Sequence, residues 1–452
     1  MRLAVLVAAL SCACGAKDSP KATSAGSATP VTQTTPSTIP PATEPAGSGS
    51  AIADKPITPM QPAKDDAAKS PPTEPALEGH DFTQAARELF AVGACGDVPV
   101  PEGYPEALVA KHCKAIKTTQ TDYAEKWVKP ARAFFAEKVP PNLPKKVVYP
   151  FAGGDLSTAL TVFPDADEIT TMSLEPAGDP RTLAVLNTAA TTPTGKSGKP
   201  SASAKAALES ALATVEKELR FLYRVNFSNT MNMIDAMRGG TLPTQLIFGL
   251  SALKVHGYEV VGLRYFRLDD NGNIKYLTDE DVAAAPDPAH NEHVQNEKRN
   301  RVFANAELRF RKPGGRVQIY RHIQQNLDNE HLKSDPRVKK HLEQKGKIVS
   351  MTKAASYLLS YDSFSILRDY LLANTEWMVS DATGIAPKWG KKAGFEYETY
   401  GGFKEPHIPS GNGVAKDWRD EFEAQPKREL KFRFGYYDKR IVDHLVIMRR
   451  KS

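Results

Sequence analysis

Four cysteines, four tryptophans and no apolar stretch of membrane-spanning length set the first limits on this 452-residue chain. A bilayer-crossing helix needs ~20 consecutive apolar residues, and the opening run, Leu3 to Leu10, is far shorter. No basic stripe is present either: 59 Lys and Arg are interspersed with 53 Asp and Glu, for a net charge of +6, which excludes nucleic acid as a partner. Zinc-type Cys/His spacing is missing; His290 and His293 lack the His-Glu-x-x-His pattern and read as solvated loop histidines, so no metal site is expected. No glycine-flanked serine suggests a hydrolase elbow, and no internal repeat is visible. From Ala16 to Glu78 there is not one Phe, Trp or Tyr. Such a segment cannot bury enough apolar surface to offset its ordering entropy.

What remains divides into three parts. Residues 1–14 carry a charged start (Arg2), the apolar run, and then Ser11-Cys12-Ala13-Cys14. This resembles a bacterial lipoprotein signal, in which small residues precede a cysteine that is acylated and becomes the mature N-terminus. That resemblance implies a lipid anchor on Cys12 (or Cys14), with the membrane as a partner and the cell envelope as location, at the outer membrane facing the periplasm or the surface. Residues 15–78, rich in Pro, Thr, Ser and Ala, read as a disordered tether spanning on the order of 45 Å. Residues 79–452 read as one globular domain. In an exported protein the remaining pair, Cys95 and Cys113, is expected to be a disulfide.

Inside the domain, amphipathic helices are expected from Tyr104 to Ala115, from Tyr123 to Lys138 with a break at Pro130, and over Ala204–Val225 and Leu242–His256. Strands are expected at Val147–Phe151, Glu168–Glu175, Tyr258–Leu268 and Trp377–Val379. Asn305–Phe310 and Arg316–Gln324 should form an antiparallel pair, and Leu430–Gly435 and Val442–Arg449 read as closing strands. Asp269 to Asn273 has the oxygens of a calcium loop but not its glycine or closing glutamate, and reads as a hairpin turn. The alternation predicts an α/β domain, three-layered and Rossmann-like, with a mostly parallel sheet and antiparallel edge strands.

The most patterned stretch is a buried strand running into Gly153-Gly154-Asp155, a short helix, and a second strand ending near Glu175. It resembles the first β-α-β unit of Rossmann-type methyltransferases, which implies that Gly153, Gly154 and Asp155 line a cofactor loop and that Glu175 holds a ribose. An exported protein meets little nucleotide cofactor, so the likeness reports fold, and no cofactor is assigned. More broadly, Tyr149-Pro150-Phe151, Phe163-Pro164-Asp165-Ala166, Leu174-Glu175-Pro176, the segment from Lys353 to Leu359, Phe364-Ser365 and the segment from Asp381 to Ile385 resemble a family of exported bacterial proteins of unknown function. Asp155, Glu175 and Asp381 should all fall at strand carboxyl ends, where open α/β sheets bind ligands, although helix capping explains each equally well. Trp389, Phe395, Tyr397, Tyr400, Gly401, Gly402, Phe403 and His407 suggest either a stacking surface or loop packing. The expected function is a tethered envelope domain binding an envelope or cell-wall ligand or a partner, with no catalytic set identifiable. An envelope enzyme using the strand-end carboxylates is the alternative, and a methyltransferase the third.

Overall fold

A parallel strand whose sheet is covered on both faces must be apolar on both, and Lys146–Pro150 (β1) is buried from its second residue onward. The computed structural model describes residues 78–194, 199–225, 242–290, 292–403, 413–435 and 444–451. Cys12 and Cys14, the segment read as a tether up to Leu77, and His407 lie outside them. β1 pairs in parallel with Glu168–Ser173 (β2), with Val147 opposite Ile169, and on its other side with Ile348–Thr352 (β9). Two more parallel pairings extend this centre, β2 to Val317–Gln324 (β8) and β9 to Thr375–Ser380 (β10).

Antiparallel strands complete both ends. Glu259–Leu268 (β5), Ile274–Tyr276 (β6) and Asn305–Arg311 (β7) continue outward from β8, and His444–Arg450 (β12) and Phe395–Gly401 (β11) continue from β10. The ten-stranded order is β11-β12-β10-β9-β1-β2-β8-β7-β5-β6; Pro193–Thr194 (β3) and Lys199–Pro200 (β4) form a separate small hairpin. The expectation of a mostly parallel sheet is corrected: four pairings are parallel and five antiparallel. Two of the five, β5–β6 and β7–β8, are hairpins closed by the short connections 269–273 and 312–316, whereas parallel strands need a crossover; the other three pair strands distant in sequence.

Alternate residues of each central strand feed two separate cores. Val147, Tyr149, Val349 and Val379 join one cluster, and Val148, Ile348 and Met378 the other. Residues from the helices Glu106–Tyr123, Leu156–Val162, Ala202–Val225 and Thr244–His256 contribute to the first, and residues from Arg337–Glu343, Ser365–Asn374 and Val414–Ala424 to the second. Pro130 has the predicted effect: a π turn at Ala124–Val128 separates the preceding helix from Lys129–Lys138. Leu430–Gly435 is not a strand; Phe432 and Phe434 are instead buried among Trp127, Phe134 and Phe135. Cys95 and Cys113 are bonded, with Cα atoms 5.3 Å apart.

Candidate functional site

The carboxyl edge of the parallel strands is built from turns that carry backbone strain. Gly153 adopts φ +52°, but Phe151, just beyond β1, and Ala354, just beyond β9, are non-glycine residues at φ +59° and +64°. Such conformations cost of order 1–3 kcal/mol each and persist where surrounding structure enforces them. At Gly154 a Cβ would collide with the Phe248 ring, so glycine is required for the helix Thr244–His256 to close on the turn.

Asp155 caps the following helix, as its position predicts, accepting from the Thr158 backbone N–H at 3.1 Å and from its hydroxyl at 2.8 Å. It has a second role the sequence did not disclose. Lys353, immediately after β9 and fully buried, forms an ion pair with Asp155 and donates to Thr158 Oγ1 at 2.6 Å. The Tyr149 hydroxyl donates to the same carboxylate at 3.0 Å, and Trp127 and Phe434 lie 5.6 and 5.7 Å from the ammonium. Burial pushes the Lys353 ammonium below its ordinary range, opposed by Asp155 and Asp381; burial and the Asp155 charge push Tyr149 well up. The gap between β1 and β9 is thus filled by side chains. A lysine just beyond the largely apolar run Ile348-Val349-Ser350-Met351 was the available signal.

Asp381 follows β10, again as predicted, and is saturated with donors: the backbone N–H groups of Ala354 and Thr383 and the hydroxyls of Ser356 and Thr383. Gly435 lies so close over it that a Cβ would meet the carboxylate. Asp381 therefore organises two loops.

Glu175 differs. It lies two residues beyond β2, is completely buried, and neither carboxylate oxygen has a hydrogen-bond partner. Every other buried acid among the described residues has a hydrogen-bond or ion-pair partner: Asp179 with Arg181, Glu218 with Lys217, Glu307 with Arg309, and Glu421 with Lys391, besides Asp155 and Asp381. Next to it, His322 Nε2 donates to the Glu175 carbonyl at 2.7 Å, and Gln245 Nε2 donates to His322 Nδ1 at 3.0 Å and to the Gly153 carbonyl at 2.7 Å, leaving Gln245 Oε1 unpartnered. Burial lowers His322 to about 4, the Glu175 carbonyl opposing it, so the ring is neutral near pH 7. Ser173, Thr352 and Ser380, at the ends of β2, β9 and β10, also have buried, unpartnered hydroxyls. Unpartnered buried polar groups are rare in folded proteins, and here several collect along one edge.

Other arrangements resolve as packing. Ser157 and His256 lie 2.9 Å apart like a nucleophile and base, but Arg132 contacts the other ring nitrogen at 2.6 Å, where a catalytic triad places an acid. Burial together with Arg132 and Lys312 holds His256 at about 3. Phe395, Tyr397 and Tyr400 of the aromatic stretch are buried, which favours packing over a stacking surface. His293 opens a helix and faces Glu297 at 3.8 Å. Among the described residues no cluster of His, Cys, Asp or Glu is arranged to hold a metal, and no helix is long and apolar enough to cross a membrane. No protein-family model, curated protein or solved structure matches the chain.

Proposed function

We propose that the chain is a lipid-tethered protein of the bacterial envelope whose globular domain binds a small ligand at the carboxyl edge of β1 and β2. The observation that carries the reading is the Glu175 carboxylate, buried with both oxygens unpartnered beside the Gly153-Gly154 turn. A buried carboxylate without donors costs several kcal/mol, and a bound ligand supplies what the chain does not. The strand order supports a Rossmann-like, three-layer reading: taken in chain order, the five parallel strands run 3-2-1-4-5, as in doubly wound sheets that bind ligands at this edge. The lipid anchor and envelope location rest on the sequence around Cys12 and Cys14.

Catalysis by strand-end carboxylates is less well supported. Asp155 is committed to Lys353, Tyr149 and Thr158, and Asp381 to four donors. Methyl transfer would require S-adenosylmethionine, and the residues do not fit it: Lys353, Trp127 and Phe434 fill the gap beside β1, and Phe248 seals Gly154. No chemical step follows from the site.

The binding reading is tested by equilibrium dialysis of the full chain and its Glu175→Gln variant against a mixed metabolite extract, with retained compounds identified by mass spectrometry. At least one compound should be held by the wild type and lost from the variant. Identical retention, or none, overturns the reading. The anchor is tested by Cys12→Ser with Cys14→Ser, which should move the protein from the membrane to the soluble fraction; persistence in the membrane contradicts it.

A further inference from the structure

We infer that the ligand held at Glu175 is a cation bearing several hydrogen-bond donors, an alkylammonium or guanidinium compound. The inference rests on the binding reading above and specifies its chemistry. In the cluster of Glu175, His322 and Gln245 every side-chain N–H donor is already used: His322 Nε2–H on the Glu175 carbonyl, and the Gln245 amide N–H groups on Gly153 and His322. What remains unpartnered on those three side chains is Glu175 Oε1 and Oε2 and Gln245 Oε1, three acceptors against the one hydroxyl of Ser173 two residues before Glu175. A ligand that completes this set brings donors.

Charge narrows the class further. The neighbouring buried carboxylate, Asp155, is neutralised by an ammonium of the chain itself, and the buried Asp179 by Arg181 at 2.9 Å. Glu175 has no lysine or arginine partner among the described residues, and the adjacent His322 is neutral. A sugar hydroxyl pair would satisfy the oxygens but bring no counter-ion of the kind Lys353 and Arg181 supply to Asp155 and Asp179, and an anion would oppose the carboxylate. An ammonium or guanidinium group satisfies both requirements, with charge-assisted hydrogen bonds that are the stronger kind.

The test uses agmatine, which carries a guanidinium and an ammonium, against methyl β-D-ribofuranoside, a neutral vicinal diol, at matched ionic strength on the full chain. Agmatine should raise the thermal midpoint of the wild type by about 2–4 °C and leave Glu175→Gln unmoved. Glu175→Asp, which keeps the charge one methylene further back, should show a reduced shift. No agmatine shift in the wild type, or an equal one in Glu175→Gln, overturns the inference. A shift by the riboside that Glu175→Gln abolishes overturns the cationic class while leaving the binding reading standing.

Discussion

Residues at the carboxyl edge show how one side chain can carry a role that its sequence neighbourhood describes only in part. Read from sequence, Asp155 is a helix cap, and Asp155→Asn is then almost silent because Asn caps about as well. The buried Lys353 reverses that expectation. Removing one partner of a buried ion pair strands the other charge and costs about 3–5 kcal/mol, so Asp155→Asn and Lys353→Met should each lower the unfolding free energy in urea by that order. The double variant should lose clearly less than the sum, and a neutral Asp155→Asn would show that the pair is not formed. Asp155, Glu175 and Asp381 were legible as strand-end acids because each follows a segment patterned as a strand. What distinguishes them was not, since the partners lie far away in the chain: Lys353 is 198 positions from Asp155, and Gln245 reaches Gly153 across 92.

Among elements, local periodicity carried the reading furthest where the segment and its partner are near neighbours. The β1–turn–helix–β2 unit, the β7–β8 hairpin and the break at Pro130 all follow from adjacent residues. Leu430–Gly435 has the alternation of a strand but packs Phe432 and Phe434 under Trp127, whose indole N–H donates to the Arg433 carbonyl at 2.6 Å. Period-two burial arises from either arrangement, so pattern alone does not separate them. The balance of parallel and antiparallel pairings was also hidden, because it depends on which sheet edge each hairpin joins. The Cys95–Cys113 bond spans 18 positions and ties the first helical turns to the helix Glu106–Tyr123. Loop-closure entropy gives it about 3 kcal/mol, so unfolding in urea with and without reductant should differ by that order, and coincident curves would contradict the assignment.

For the whole molecule, the titratable groups define how stability depends on pH. Burial, the cause common to all three, holds His322 and His341 at about 4 and His256 at about 3, against 6.5 for an ordinary histidine. These rings bind protons more readily unfolded, so their contribution is complete above pH 6.5 and is lost as the pH falls towards 4. Near pH 5 unfolding should take up roughly three protons, a slope of about 4 kcal/mol per pH unit in urea-derived stability, and a flat profile between pH 7 and 5 would contradict it. Glu168 acts lower: burial alone would raise it, but Lys345 and Arg321 outweigh that and hold it at about 2, so its contribution persists until the pH drops below 4.5. Against this background of satisfied charges stands Glu175, buried with neither side-chain oxygen hydrogen-bonded, and the proposed binding reading holds that it serves a ligand at the expense of the fold. The most direct test is the unfolding free energy of ligand-free Glu175→Gln beside the wild type at pH 7. The variant should be at least as stable as the wild type, because no hydrogen bond of the fold is lost with the carboxyl group; a variant less stable than the wild type would mean that the carboxyl serves the fold, and would contradict the account.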